Sequence, residues 1–362
     1  MGAGGATPGT SFPGTIAPQI FAQLETHDPV ISFTETILIQ ASRPGRPGLS
    51  SGGGSVYRLG VAWLLLTSIL FTTVVTNAHA VKATPTHHAI RVISLNPSLT
   101  AILLAIGKGD QLVGVDDFSA KQIPAVADLP RVGGLFNPSL EAVVALEPDL
   151  VVLVPSAEQR DFRMRLQELK IEVESFQNFQ FAEVLENITR LGKLLGAEQA
   201  AAERVAAIQL TRAAVERVVA SLVGKGQARP TVAVVVQRDP LFVVGGENFI
   251  DSMLQIAGTQ NIAAHYSEPY PRIGMEWMVA ASPQLLLDLS PGSREAKSFW
   301  QRWPHIAAVK NDRLISLDAA LISMPGPDLD SSLRLLASTI WGDEILSRIR
   351  LEEAALARER GR

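Results

Sequence analysis

The chain of 362 residues contains no cysteine. That excludes disulfides, thiolate metal sites, cysteine nucleophiles and a lipid-modified cysteine. Aromatic residues make up 6%, with only three tyrosines, and there are six histidines. Charge is sparse too. Asp, Glu, Lys and Arg account for 19% of residues, and the formal net charge is -4 with a pI near 5.9. No basic field exists to hold nucleic acid or an anionic membrane surface. A Gly-rich phosphate loop, a G-x-S-x-G elbow and an H-E-x-x-H helix are all missing. Asp116 and Asp117 are adjacent acids at a strand end and read as solvated side chains, not as a catalytic pair. No enzyme is expected.

What the chain has in quantity is apolar material, 47% of residues, sufficient for a sizeable core; the length suggests two to three domains. The first 80 residues stand apart. Residues 1–55 are rich in Gly, Pro, Ser and Thr and lack a period of either kind. Arg58, the apolar run "VAWLLLTSILFTTVV" and the ending "NAHA" follow, the parts of a secretory signal peptide. The run is short for a membrane span, which needs about 20 apolar residues. The expectation is a signal at 56–80 cleaved after Ala80, a true start at Val56, and a non-native or disordered extension at 1–55. A cytoplasmic tail on a signal anchor is the rival. An exported chain without a lipid-anchor cysteine is expected in a bacterial periplasm.

From Ile90 onward strands and helices alternate, which means parallel pairing and α/β layers. "RVISL", the helix "NPSLTAILLAIG" and "QLVGV" lead into "DDFSAKQIPAVADLPRVGGLF", read as a long loop. After Arg229 the order starts over with "TVAVVV", the helix "FIDSMLQIAG", the strand "QNIAA" and the loop "HYSEPYPRIG". One phrase is written twice. "NPSLEAVVALEPDLVVLV" at 137–154 returns as "RIGMEWMVAASPQLLLDL" at 272–289, aligning Glu141 with Glu276 and Pro148 with Pro283. Each copy reads as a short helix, a proline break and a buried strand. On the residues alone, the preference of acids for helix starts accounts for both glutamates. Two similar α/β lobes are therefore expected, at 89–197 and 229–350. Between them, at 198–226, lies an Ala-rich helix whose residues 199–223 would form a rod of roughly 37 Å. A ligand cleft is expected between the lobes.

"RVISLNPSLTAILLAIG", "RVGGLFNPSLEAVVALEPDLVVL", the helical rod and "MPGPDLDSSLRLLASTIW" together resemble the helical-backbone substrate-binding proteins of iron-complex and cobalamin ABC importers. The resemblance covers about residues 89–345. "EPYPRIGMEWMVAASPQLLL" is most similar to the cobalamin branch, whose second-lobe loop carries Pro-aromatic-Pro before the glutamate. The resemblance implies a monomeric periplasmic protein that delivers a chelate to an ABC permease dimer with its cytoplasmic ATPase. It also implies that Glu141 and Glu276 dock against permease arginines, one from each lobe. No cofactor is expected; the ligand is cargo, a corrinoid, with haem or a ferric siderophore as alternatives. A ligand-sensing module for a membrane receptor is a further alternative.

Ligands of α/β sheets bind at the carboxyl ends of strands. That rule selects Asn96, Pro97, Ser98, Phe118, Leu135 and Phe136 in the first lobe. In the second it selects Gln237, Arg238, Phe242, His265, Tyr266 and Tyr270. Tyr266 and Tyr270 are flanked by prolines and are expected as rigid apolar walls for a flat ligand. Burying about 400 Å² of apolar surface at about 25 cal/mol/Å² yields on the order of 10 kcal/mol. Association costs roughly 4–15 kcal/mol, so polar contacts from groups such as Gln237 and Arg238 are needed. Gln237 and Leu135 stand where the cobalamin branch often has aromatics, and "MPGPD" replaces Arg-Pro-Gly-Pro-Arg. His265 is an imidazole able to ligate iron or cobalt, although a lone loop histidine is more often solvated. Besides it, only His87, His88 and His305 follow residue 80, without metal-ligand spacing.

Overall fold

The computed structural model describes residues 89–155 and 160–360. The expected signal and the expected extension lie outside the described residues. The first lobe runs β1 (Val92–Ser94), α1 (Pro97–Ala105), β2 (Leu112–Val115), α2 (Asp117–Gln122), α3 (Leu140–Ala145), β3 (Leu150–Leu153), α4 (Arg160–Glu168), β4 (Glu172–Ser175) and α5 (Phe181–Leu194). Its four strands are all parallel, in the order β2-β1-β3-β4. A helix of 27 residues, α6 (Glu198–Gly224), leads out of it.

The second lobe comprises β5 (Thr231–Gln237), β6 (Phe242–Val243), α7 (Phe249–Ile256), β7 (Gln260–Asn261), α8 (Met275–Ala281), β8 (Leu285–Asp288), α9 (Ser293–Trp300), α10 (Ala307–Lys310) and β9 (Leu314–Ser316). Helices α11 (Leu329–Trp341) and α12 (Glu344–Arg360) end the chain. Strand β5 pairs in parallel with β7 on one side and β8 on the other, and β8 pairs with β9. That is the first lobe's order again, with one antiparallel strand, β6, added against β5.

The duplicated phrase folds alike in both lobes. Helices α3 and α8 begin at Leu140 and Met275, strands β3 and β8 at Leu150 and Leu285, all at the sequence offset of 135. Each helix is followed by a left-handed residue, Glu147 (φ 45) and Ser282 (φ 41), immediately before its proline. The left-handed residue reverses the chain and the proline forbids another helical turn. This is why a proline recurs at a fixed distance from the glutamate.

Strand alternation assigns each sheet two faces. Val92 and Val152 of the first sheet, with Val232, Val234, Leu285 and Leu287 of the second, belong to one continuous core around α6. Ile93, Val151 and Leu153 turn to a separate core with Val143 of α3. Ala233, Val235 and Leu286 turn to another with Met278 of α8. The glutamate-bearing helices are thus the outer layers of the two lobes.

Helix α6, about 40 Å at 1.5 Å per residue, buries Ala201, Ile208, Thr211, Ala214, Val215, Val218 and Val219. It packs against α5, α11 and α12, so it is an embedded strut and not a bare rod. Its small residues allow close approach: a Cβ on Gly192 of α5 would overlap that of Ala201. Charges pin it as well. Arg204 pairs with Asp330 and donates to the Pro327 carbonyl at 2.6 Å, while Arg334 reaches Glu353 at 2.7 Å and Thr211 at 2.8 Å.

Two local expectations are corrected. The stretch after β2 is not all loop, because Asp116 caps a helical α2 within it. The strand expected over 260–264 stops at Asn261, whose side-chain oxygen accepts the Ala263 N–H at 3.0 Å and turns the chain.

Candidate ligand cleft and docking surface

At the carboxyl ends of β1 and β2 the polar groups are mutually satisfied. Asn96 is the N-cap of α1, its Oδ1 accepting the Ser98 N–H at 2.9 Å, with Pro97 in the first turn. Asn96, Pro97 and Ser98 are all buried. Below them Thr100 donates to Ser94 Oγ at 2.8 Å and lies 3.0 Å from Ser119 Oγ. The chain of contacts ends on Asp116, which accepts the N–H groups of Phe118 at 2.9 Å and Ser119 at 3.0 Å, and the Ser119 hydroxyl. Asp116 is therefore not the solvated acid expected. It is fully buried, and burial pushes its carboxyl above the ordinary range despite those donors. Only Asp117 is exposed. The result is a fixed platform holding Phe118, half-buried, at the lobe's edge. Leu135 is buried and Phe136 half-buried.

In the second lobe the expected residues divide by surroundings. Phe242 is 4% exposed and belongs to the common core, paired in register with Gln237. Arg238 is tied inside the lobe. Its Nε donates to the fully buried Asp288 at 2.9 Å and its Nη2 to the carbonyls of Ser290 and Gly292 at 3.1 and 2.8 Å. Trp300 Nε1 donates to the same Asp288 oxygen at 2.6 Å. The guanidinium thus acts as a clamp between β5 and the end of β8.

The two tyrosines do not share a wall. Tyr270 packs against the common core, its hydroxyl bonded to Asn248, and burial pushes its phenol up. Tyr266 packs against the outer core of the second lobe. It lies edge-on to Trp277 with centroids 5.8 Å apart, and the ring of the exposed His265 is tilted against it at 4.2 Å. Trp277 follows Glu276 on α8, where the first lobe has Ala142. The position in the repeat was visible in the sequence, but its aromatic neighbours were not. "MPGPD" also gains a place: a Cβ on Gly326 would stand 3.9 Å from Ala101 of α1, so this segment meets the first lobe.

Glu141 and Glu276 sit in the first turns of α3 and α8, both exposed, and neither has an ion-pair partner among the described residues. Among the described residues no cluster of three His, Cys, Asp or Glu side chains is arranged to hold a metal ion. Two surface cavities, of about 500 and 440 Å³, flank α6 and are lined by residues such as Arg212 and Gln180, or Lys193 and Gln209, outside the predicted ligand set.

Two lobes of one design, a long connecting helix and matching outer helices are the arrangement of a known family, and residues 92–321 match its model, periplasmic binding protein. The chain belongs to the periplasmic binding protein family. It is 29% identical to the uncharacterized ABC transporter substrate-binding lipoprotein YvrC of Bacillus subtilis, over 70% of this chain and 80% of the relative. It is 27% identical to the vitamin B12-binding protein of Vibrio vulnificus, over 66% of this chain and 85% of that protein. A periplasmic heme binding protein from Pseudomonas aeruginosa superposes with a TM-score of 0.59 at 26% identity, covering 69% of this chain and 92% of that one. This periplasmic binding protein is thus a substrate-binding component of the ABC transporter type, which works with a permease and an ATPase.

Proposed function

We propose that this protein is exported to the periplasm, captures a corrinoid between its lobes as a monomer, and presents it to an ABC permease dimer. It performs no catalysis. The observation that carries the reading is the equivalence of Glu141 and Glu276. Two exposed carboxylates, without an ion-pair partner among the described residues, stand at matching positions on the outer helices of two lobes. Their separation reports the lobe arrangement, so a permease that recognises both recognises a loaded protein. Exposed pairs contribute about 0–1 kcal/mol each, so their role is register and encounter rate.

The vitamin B12-binding relatives support a corrinoid, and so does Phe118, a half-buried aromatic group held on the platform by Asp116. Haem is the second reading, favoured by the exposed imidazole of His265 next to Tyr266. Titration of the protein with cyanocobalamin and with haemin, followed by visible absorbance and calorimetry, tests the two. Saturable one-to-one binding of cyanocobalamin at submicromolar affinity is expected. Binding of haemin alone, lost in His265→Ala, would move the assignment to haem.

A further inference from the structure

Three aromatic rings meet on the outer layer of the second lobe. The centroids of His265 and Tyr266 are 4.2 Å apart, those of Tyr266 and Trp277 5.8 Å, and those of His265 and Trp277 6.0 Å. His265 is exposed; Tyr266 and Trp277 are half-buried and pack against the outer core. Neither the Tyr266 hydroxyl nor Trp277 Nε1 has a hydrogen-bond partner among the described residues, and neither is a buried atom. Indoles elsewhere in the chain are tied down. Trp300 Nε1 donates to Asp288 at 2.6 Å and Trp341 Nε1 to the Ala257 carbonyl at 2.8 Å. Rings anchored on one side, with polar ends open to water, are the groups that interfaces bury.

The cluster flanks Glu276. Successive residues of a helix are about 100° apart, and Met278 of α8 points into the outer core with 0% exposure. Glu276, about 200° from Met278, therefore faces solvent, as does Ala280 one turn on. Trp277 stands between Glu276 and Met278 in angle, on the flank where the rings of His265 and Tyr266 meet it. A Cβ added to Gly274 would lie 3.1 Å from Glu276 Oε2, so the carboxylate rests beside the helix start, where the loop from His265 arrives. The first lobe has the carboxylate without the rings. At the offset of 135, Ala142, Arg131 and Pro130 stand in place of Trp277, Tyr266 and His265.

We infer that Trp277, Tyr266 and His265 join Glu276 in an aromatic docking site for the permease, present on the second lobe and absent from the first. The partner it fits is an arginine-bearing periplasmic surface of the permease. A guanidinium pairs with the carboxylate and lies on a ring face, a combination that suits arginine better than lysine. A lipid surface is the other setting for exposed Trp and Tyr, but the carboxylate in the same patch opposes an anionic one. Glu141 supplies a charge that salt screens. The rings add contact area that salt leaves intact, so the second lobe anchors the complex and the first completes it. The inference rests on the docking role proposed for Glu276 and extends it.

The test is binding of the full chain to its cognate permease–ATPase complex in lipid nanodiscs, measured by biolayer interferometry. The parent is compared with Trp277→Leu, Trp277→Phe, His265→Ala and the double variant Glu141→Ala with Glu276→Ala, each checked for folding by circular dichroism. Trp277→Leu is expected to weaken docking about tenfold, the scale of one aromatic anchor. His265→Ala should weaken it about threefold, and Trp277→Phe, which keeps a ring face, should cost no more than that. In about 0.5 M salt, where the carboxylates are screened, the parent should retain docking that Trp277→Leu loses. Trp277→Leu and His265→Ala within about twofold of the parent, beside a weakened double glutamate variant, overturn the aromatic site and leave glutamate docking standing. An undiminished double glutamate variant overturns the docking reading itself. Equal binding to nanodiscs without the complex assigns the rings to lipid and overturns the inference as well.

Discussion

Arg238 lies where a ligand-binding cation would be sought, yet Arg238→Ala is expected to act first on stability. The arginine side chain is 12% exposed and its partner Asp288 not at all. Breaking a buried pair from one side costs about 3–5 kcal/mol, because the remaining charge is uncompensated. Asp288 retains Trp300 Nε1 at 2.6 Å and the Ser290 N–H at 2.9 Å, which pulls the figure toward 3. The carbonyls of Ser290 and Gly292 lose their donor as well, which pulls it up again. At about 2–4 °C per kcal/mol for a chain of this class, the melting temperature should fall by roughly 6–20 °C. The assay is urea unfolding followed by tryptophan fluorescence, with ligand titration at temperatures where both proteins are folded. Arg238→Lys should recover part of the loss, since an ammonium reaches the carboxylate but lacks the planar fork. If Arg238→Ala unfolds within about 1 kcal/mol of the parent while ligand binding is abolished, the arginine is a ligand cation and the clamp reasoning is wrong.

Three further outcomes follow from the same structure. Glu141→Ala combined with Glu276→Ala should abolish uptake in cells and leave the calorimetric ligand affinity unchanged; a parallel loss of affinity would sink the docking assignment. Asp116 has a raised carboxyl pKa from burial, so the folded state holds its proton more tightly than the unfolded chain. Its contribution is fully present below the ordinary carboxylate pKa of about 3.9 and is lost as pH rises through the folded value. Asp116→Asn should flatten that decline in urea midpoints, and an identical pH profile would refute the burial argument. Gly192→Ala should cost about 1–3 kcal/mol by overpacking α5 against Ala201 of α6, read as a lower urea midpoint with an unchanged slope.

The duplicated phrase was legible because both its chemistry and its spacing are local. An acid in a first helical turn, a left-handed residue and a proline act within ten residues, whatever surrounds them. Strand alternation and the Ala-rich run likewise announced two α/β lobes and a long helix. The candidate site was legible only in part. Asp116 was read as solvated because adjacent acids usually are, and nothing in "DDF" reveals that Ser94, Thr100 and Ser119 close over one of them. Tyr266 and Tyr270 are four residues apart, yet they turn to different cores.

By itself, then, the sequence determined the repeat, the lobes, the connecting helix and the two exposed glutamates, since each depends on interactions between residues close along the chain. Only the tertiary structure decided which polar side chains near the cleft are already engaged. Arg238 finds Asp288 across 50 residues, Arg204 finds Asp330 across 126, and Gln237 Oε1 finds no partner among the described residues. Such pairings are set by how strands and helices from distant segments are brought into register, and no local pattern encodes them.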